Sequence, residues 1–153
     1  MNVHIQKLNV QDMDTLLRWR MTVLAEVFSI PEGTDVSELE GANRRYYEQR
    51  IANNEHTAVL ASVDGEDVGC GGICYYQEMP SPDNPTGECA YLMNIYVKPE
   101  RRHEGIAREI VQSLIDDARA RGVTKIYLET SDDGRHLYEH MGFRPMEGYL
   151  KLE

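Results

Sequence analysis

The stretch Ala90–Ala107, AYLMNIYVKPERRHEGIA, decides the fold. It consists of an apolar run, a turn with Pro99, a basic cluster, and Gly105-Ile106-Ala107 at the start of a helix. The first N–H groups of a helix are unpaired and point outward, and the helix dipole adds partial positive charge there. Because Gly105 has no Cβ, the backbone can approach an anion closely at this point. The stretch therefore predicts a strand, a phosphate-binding turn and a helix in succession.

The predicted helix, Gly105–Arg121, has one clearly apolar face. Apolar residues recur at helical spacing at Ile106, Ile110, Val111, Leu114, Ile115 and Ala118. Gly122 is a typical residue for the end of a helix, and Arg119 and Arg121 in the last turn suit the helix dipole. We expect this helix to pack on the strand Glu88–Val97 that precedes it.

The rest of the chain adds strands and helices on both sides of this unit. On the N-terminal side we predict a first strand in Met1–Leu8 and a helix over Met13–Phe28 capped by Asn9. A second helix should start near Thr34 or Asp35, and a hairpin should pair Thr57–Val63 with Val68–Gln77 around Asp64-Gly65. Glycines in the second hairpin strand, Gly69, Gly71 and Gly72, indicate a bulge. Further on we predict an irregular loop over Met79–Gly87, a strand over Thr124–Thr130, a short helix over Arg135–Met141, and one or two terminal strands in Phe143–Leu152.

This order of elements predicts one α/β domain of the α+β type, spanning residues 1–153, with helices packed on a mixed sheet. The strand Glu88–Val97, the helix after it and the strand Thr124–Thr130 form a crossover, which makes the two strands parallel. The length of 153 residues is sufficient for a substantial core.

Charge and composition narrow the class of protein. The formal net charge of −10 argues against nucleic-acid binding, which needs a basic surface, and favours a cationic partner. No apolar run has the length that crossing a bilayer requires, and the N-terminus does not resemble a signal peptide. Cys70, Cys74 and Cys89 lack zinc-binding spacing and are expected to be reduced thiols, so we predict a cytoplasmic protein without a metal.

Two motifs resemble the GNAT superfamily of N-acetyltransferases. Arg102–Ala107, RHEGIA, is similar to the family pattern R/Q-x-x-G-x-G/A, whose loop holds the pyrophosphate of acetyl-coenzyme A (acetyl-CoA). Leu137–Phe143, LYEHMGF, is similar to the family segment L-Y-E-x-x-G-F. Short glycine patterns are common by chance, but the two occur in the family's order and at its separation. The resemblance implies a largely antiparallel mixed sheet flanked by helices, in which the parallel strand pair splays apart to admit the coenzyme.

The resemblance also implies which residues bind acetyl-CoA as co-substrate. The backbone of Ile95, Tyr96 and Val97 would pair with the pantetheine arm like an added strand. The pyrophosphate and the other phosphates would be held by Arg102, His103, Glu104, Gly105, Ile106, Ala107, Arg108 and Arg135. Ser131 stands where family members often carry an asparagine that contacts the coenzyme.

Catalytic roles follow in part from the same resemblance. Tyr138 matches a family tyrosine near the sulfur and is the expected general acid, since its ordinary pKa of about 10 keeps it protonated. A glutamate that serves some members as general base is replaced here by Tyr91. Alternative carboxylates are Glu26, Glu78, Glu88 and Glu129, with or without a relaying water, and the sequence does not distinguish among them.

Three functional hypotheses follow. The leading one is an acetyl-CoA-dependent N-acetyltransferase that acts on a primary amine of a small, cationic substrate such as a polyamine, an aminoglycoside-like compound or an amino-acid derivative. A protein N-terminus or lysine is the other class of acceptor that the sequence leaves open, and the resemblance implies a homodimer. The alternative is a non-catalytic acyl-CoA-binding sensor or interaction domain on the same fold, favoured by the missing glutamate. A nucleotide-binding module is disfavoured because the fingerprints G-x-G-x-x-G and G-x-x-x-x-G-K-[ST] are both missing.

Overall fold

The computed structural model describes all residues from 1 to 153, which form five strands and four α-helices. In chain order these are β1 (Val3–Leu8), α1 (Met13–Val27), α2 (Ser37–Ala52), β2 (His56–Val63), β3 (Glu66–Gln77), β4 (Glu88–Val97), α3 (Ile106–Ala120), β5 (Lys125–Leu128) and α4 (Asp132–His140). Short 3-10 turns, Val10–Asp12 and Pro99–Arg101, precede α1 and follow β4. Asn9 caps the first turn through its side chain, and Asp12 completes a capping box, as the sequence predicted.

The strands form one sheet in the order β1-β2-β3-β4-β5. The first four strands are antiparallel, and β4 and β5 are parallel. This arrangement confirms the predicted mixed, largely antiparallel sheet with one crossover through α3.

The strand β4 extends past the end of its parallel partner β5, and we call the resulting gap the splay, after the opening that the resemblance implied. Only the first part of β4 is paired with β5, from Cys89 opposite Lys125 to Leu92 opposite Leu128. Beyond Leu92, β4 continues to Val97 with no β5 partner. The edge of β4 beyond Leu92 therefore has no neighbouring strand on the side of the splay.

A bulge in β4 lies at the start of the splay. Gly72 is opposite Met93 and Cys70 is opposite Tyr96, so two β4 residues, Asn94 and Ile95, face Gly71 alone. Asn94 has a φ of +61°, in the left-handed region that Asn tolerates better than most residues. The predicted irregularity is confirmed, and it occurs twice. Here the extra residue lies in β4, and next to Gly69 a second register shift makes Val68 an extra residue of β3, because Gly69 is opposite Ala61 and Asp67 is opposite Ser62.

Helices cover both faces of the sheet. The helix α3 packs on one face with the largest core cluster, which includes Ile73, Leu92, Ile110 and Leu114, all at most 2% exposed. Gly71 permits this close approach, because a Cβ built on it would lie 2.5 Å from Cγ2 of Ile110. The other face carries a second core cluster formed mainly by residues of α1 with Tyr47 of α2.

Two sequence predictions need correction at the C-terminal end. The last helix begins at Asp132 rather than Arg135, because Ser131 and two aspartates provide a favourable first turn and Gly134 is tolerated within it. The terminal strands predicted in Phe143–Leu152 do not form. Pro145 removes a backbone donor, and no backbone hydrogen bond joins residues 144–153 to the sheet. Leu150 and Leu152 are accordingly fully exposed.

Candidate active site

The predicted phosphate turn presents a continuous run of free backbone donors. None of the backbone N–H groups from His103 to Arg108 donates a hydrogen bond within the chain. His103 and Gly105 have φ values of +66° and +85°, and Gly105 caps the N-terminus of α3. Such consecutive unpaired N–H groups at a helix start form a concave anion site. Because Gly105 has nothing within 4 Å of a built Cβ, its role here is the left-handed backbone conformation.

Side chains around the turn are partly committed to ion pairs. Arg102 donates to the Val97 carbonyl oxygen at 2.8 Å and to a Glu26 oxygen at 2.8 Å. Glu104 accepts from Arg101 at 3.2 Å. Arg108 is exposed and has no partner in the chain. The structure therefore brings one of the carboxylates proposed as base, Glu26, to the phosphate turn rather than to the splay.

The predicted pantetheine edge lies directly beside this turn. Ile95, Tyr96 and Val97 form the last part of β4, beyond its last residue paired with β5. The 3-10 turn and the basic residues follow at once, so the unpaired strand edge leads into the anion site. An extended ligand with amides at one end and phosphates at the other is complementary to this arrangement.

Tyr138 lies in α4, beyond the other side of the splay. It packs against the Phe143 ring at a centroid distance of 5.8 Å, and its hydroxyl has no hydrogen-bond partner in the chain. Burial raises the pKa of Tyr138 above its ordinary value, so the hydroxyl holds its proton at neutral pH. Tyr138 and Arg135 both line an open cavity of about 1120 Å³ between β5, α4 and the C-terminal segment. None of residues 95–108 lines this cavity.

The four candidate carboxylates lie in three different places. Glu88 begins β4, four residues from Leu92 and so about 13 Å from the splay. Glu78 lies at the same end, 2.9 Å from the Lys125 ammonium, and this hydrogen bond lowers the pKa of its carboxyl. Glu129 directly follows the last residue of β5 that pairs with β4, and it is exposed. Of the four, only Glu129 lies where the strands separate.

Tyrosines surround Glu129 on the sheet face opposite α3. The rings of Tyr91 and Tyr127 lie 4.9 Å apart, and Tyr76 hydrogen-bonds to Tyr127 through their hydroxyls. Burial and the charge of Glu129 raise the pKa of Tyr91 to about 12. Tyr91, which occupies the position of the family glutamate, therefore remains a neutral donor at physiological pH. Ser131, the other departure from the family pattern, is exposed at the N-cap of α4.

A polar cluster beside the bulge was not among the sequence predictions. Arg20 donates to Asn43 at 3.0 Å and to Asn94 at 2.9 Å, which joins α1, α2 and β4. A signal was present: Arg20 is spaced three and four residues from Leu16, Leu17, Val23 and Leu24, and thus falls within the buried stripe of α1. An arginine at such a position needs a polar partner or a ligand.

A buried histidine lies next to this cluster. Nδ1 of His56 is 2.8 Å from the Tyr46 hydroxyl, which also contacts the Cys74 sulfur at 2.9 Å. Burial, followed by the charge of Arg20, lowers the pKa of His56 to about 4. Burial likewise raises the pKa of Cys74, so at neutral pH the imidazole and the thiol are both uncharged.

Two kinds of feature are absent from the structure. The described residues contain no group of three or more His, Cys, Asp or Glu placed to hold a metal ion. No helix has the length and apolar character that a membrane span requires.

Comparison with known proteins identifies the class that this fold and site define. The acetyltransferase (GNAT) family matches residues 19–143. The uncharacterized N-acetyltransferase YjgM of Escherichia coli strain K12 is 27% identical over 147 residues, which cover 94% of this chain and 83% of the relative. The chain belongs to the GNAT family, and it is an acetyltransferase.

Solved structures agree in fold over the full length. A predicted acetyltransferase from Clostridium acetobutylicum, solved with acetyl-CoA, has a TM-score of 0.86 at 26% identity and covers 99% of this chain and 96% of its own. A GCN5-related N-acetyltransferase from Ralstonia eutropha JMP134 has a TM-score of 0.81 at 21% identity, with 99% of both chains covered. The second structure supports the fold alone.

Proposed function

We propose that this acetyltransferase transfers the acetyl group of acetyl-CoA directly to a primary amine of a small substrate that is cationic at its reacting end. The observation that carries the proposal is the run of free N–H groups from His103 to Arg108, next to the unpaired edge of β4. The Clostridium acetobutylicum structure, solved with acetyl-CoA, has the same fold. Acetyl-CoA is a co-substrate in this proposal, and no metal takes part.

Coenzyme binding divides between the strand edge and the turn. Backbone groups of Ile95–Val97 pair with the pantetheine amides, and the N–H groups of the turn hold the pyrophosphate. Arg108 and Arg135, both exposed, supply charge to the remaining phosphates, and Ser131 donates a hydrogen bond from the N-cap of α4. Arg102 contributes when it exchanges its Glu26 partner for a phosphate.

In the transfer step, Glu129 accepts a proton from the acceptor and Tyr138 donates a proton to the leaving thiolate. The acceptor ammonium loses one proton to Glu129, directly or through water, and the lone pair of the resulting neutral amine attacks the thioester carbonyl carbon. A backbone N–H near the β4 bulge stabilises the resulting oxyanion. When the C–S bond breaks, the thiolate takes a proton from the Tyr138 hydroxyl, which burial keeps protonated. The nitrogen gives its second proton to the Tyr138 phenolate, directly or through water, which restores the hydroxyl. The products are the amide and free coenzyme A.

Glu129 is preferred as the base because of its position. It is next to the neutral Tyr91, and it directly follows the last residue of β5 that pairs with β4. The other three carboxylates lie at the far end of the strands or beside the phosphate turn. The surrounding tyrosine rings can also stabilise the ammonium form of the amine as it arrives.

A second candidate function is a non-catalytic acyl-CoA sensor. It is favoured by one observation, that Tyr91 occupies the family's glutamate position and its pKa of about 12 makes it a poor base. In that case the splay would bind acyl-CoA, and the tyrosine face would serve signalling rather than transfer.

Calorimetric titration with acetyl-CoA, followed by an amine panel with free thiol as the signal, tests these proposals. Amine-dependent thiol release that falls at least tenfold in both Tyr138→Phe and Glu129→Gln, with acetyl-CoA affinity unchanged, supports the mechanism. Binding without turnover on a broad panel supports the sensor, and longer acyl-CoAs tested in parallel define the acyl specificity. A lack of acetyl-CoA binding overturns both proposals.

Two other expectations accompany the proposed function. A homodimer is implied by the family resemblance, and light scattering on the purified protein measures it. A cytoplasmic location is supported by three unpaired cysteines, two of them buried, as is usual in a reducing compartment. Cell fractionation tests that location.

A further inference from the structure

A guanidinium without a carboxylate partner lies beside the splay. Arg20 takes part in none of the ion pairs of the chain. Its only hydrogen bonds go to the side-chain oxygens of Asn43 and Asn94. These neutral amide oxygens accept hydrogen bonds from the guanidinium, but they carry no negative charge to neutralise it. The local charge therefore remains uncompensated, although the chain as a whole carries a net charge of −10.

Part of the guanidinium remains available to a ligand. Nε donates to Asn43 and Nη1 donates to Asn94, which leaves three of the five N–H groups of an arginine without an acceptor. Nη2 has no partner, and it is not among the buried unsatisfied atoms of the chain, so it reaches accessible space. Both N–H groups of Nη2 and one of Nη1 can therefore donate to the oxygens of an anion.

The groups around Arg20 do not supply an anion. His56 is neutral because burial lowers its pKa to about 4, and burial raises the pKa of the Cys70 thiol to about 12. The charge of Arg20 acts on both groups but does not reverse either effect of burial. Tyr47 also remains protonated, since burial raises its pKa to about 12. A ligand is therefore the remaining source of negative charge.

Arg20 lies where a substrate that enters the splay could reach it. Its partner Asn94 is the bulged residue of β4, two positions after Leu92, where β4 loses its pairing with β5. Arg20 belongs to α1, which packs with Tyr96 on the sheet face opposite α3. The phosphate turn begins α3, so Arg20 approaches the splay from the side opposite to the one that α3 covers.

We propose that Arg20 binds an anionic group, a carboxylate or a phosphate, that the acceptor carries near its reacting amine. This inference rests on the proposed function and narrows its substrate class. An amino acid, an amino-acid derivative or an amino sugar phosphate fits, whereas a simple polyamine leaves Arg20 without a partner. Glu129 and the tyrosines face the ammonium end of the acceptor, and Arg20 faces its anionic end.

Paired acceptors test the proposal directly. The panel contains amino acids with their decarboxylated amines, and amino sugar phosphates with the corresponding unphosphorylated amino sugars. Turnover is measured by thiol release from acetyl-CoA, and acceptor binding by calorimetry in the presence of unreactive coenzyme A. We expect the anionic member of at least one pair to be favoured about 10- to 100-fold in kcat/KM. This is the factor by which a hydrogen bond between charged groups strengthens binding. The pair that shows the preference identifies the anion as carboxylate or phosphate.

Substitutions of Arg20 distinguish recognition of the acceptor's anionic group from a purely structural role of this residue. In Arg20→Gln the preference should disappear through a rise in KM for the anionic acceptor, with KM unchanged for the paired acceptor that lacks the carboxylate or phosphate. Arg20→Lys should restore part of the preference, since the charge remains but the planar fork does not. Arg44→Gln, which removes an exposed arginine of α2, is the matched control and should behave as the unsubstituted protein.

The outcomes distinguish this inference from the proposed function. Turnover without any preference for anionic acceptors overturns the inference and leaves the proposed function standing. A uniform loss of kcat in Arg20→Gln, equal for both members of each pair, also overturns it and assigns Arg20 to support of the bulge. Anionic preference in binding without turnover supports the inference and overturns the enzymatic proposal. If no acceptor is bound or acetylated, both are overturned.

Discussion

The carboxylate of Asp117 in α3 forms hydrogen bonds to side chains of three strands, β1, β2 and β3. It accepts hydrogen bonds from Lys7 at 2.6 Å, Thr57 at 2.9 Å and Tyr75 at 2.5 Å, and its side chain is 7% exposed. Burial alone would raise the pKa of Asp117, but these hydrogen bonds outweigh burial and lower it. We expect Asp117→Asn to destabilise the fold because it removes the charge and keeps the size.

The expected magnitude follows from these contacts. Hydrogen bonds to a charged group contribute about 1.5–3 kcal/mol each, and an asparagine oxygen retains only weaker, neutral ones. The bond from Lys7 adds little, because that side chain is 69% exposed. With two shielded bonds weakened, Asp117→Asn should lower the free energy of unfolding by about 2–3 kcal/mol. Urea denaturation followed by circular dichroism measures this change.

The neighbouring residue provides the control and the pH dependence provides a check. Asp116 is exposed, so Asp116→Asn should change the unfolding free energy by less than about 0.5 kcal/mol. Because folding lowers the pKa of Asp117, its stabilisation is present above the unfolded pKa of about 4 and is lost as pH falls through the folded value. The difference between Asp117→Asn and the unsubstituted protein should therefore be constant at neutral pH and shrink in acid. Equal effects of the two substitutions would refute the reasoning.

Three other substitutions probe the sheet, the buried imidazole and the phosphate turn. Gly71→Ala would place a Cβ 2.5 Å from Ile110, and it should cost about 1–3 kcal/mol in urea denaturation; an unchanged midpoint contradicts this. The pKa of His56 is about 4 in the fold and about 6.5 in the unfolded chain. The free energy of unfolding should therefore decrease as the pH is lowered from about 6.5 to about 4, by up to about 1.4 kcal/mol per pH unit. His56→Gln should flatten that slope, and an unaltered slope assigns it to other groups. Glu26→Gln frees Arg102 from its 2.8 Å ion pair and should tighten acetyl-CoA binding in calorimetry, whereas weaker binding would show that Arg102 does not serve a phosphate.

Local patterns predicted the part of the fold that contains the proposed coenzyme site. The apolar stripe of α3 and the continuous apolar run of β4 depend on neighbouring residues only, and both elements formed within two residues of their predicted bounds. The bulge was anticipated from the glycines of β3, because a residue without a side chain marks a close approach. These local features also place the phosphate turn.

The acceptor side depends on contacts that no local pattern contains. Arg20 meets Asn43 across 23 residues and Asn94 across 74, so the pairing appears only when α1, α2 and β4 are assembled. In the C-terminal segment, by contrast, a local pattern was present but the predicted strand did not form. Residues 149–152 include apolar residues at alternate positions, yet a strand needs a partner, and no other segment of the chain pairs with them.

One residue, Asn94, connects the two halves of the site. Its backbone lies in the strand proposed to pair with the coenzyme, and its side chain accepts from Arg20, which is proposed to bind the acceptor. An acceptor that orders Arg20 therefore also orders the bulge, and binding of coenzyme A and acceptor should be cooperative by the same factor in either order. Calorimetry of an anionic acceptor with and without coenzyme A measures this coupling. Asn94→Gly keeps access to positive φ but removes the amide, so it should reduce the coupling while both ligands still bind. Equal acceptor affinity with and without coenzyme A in the unsubstituted protein would show that the two halves of the site act independently.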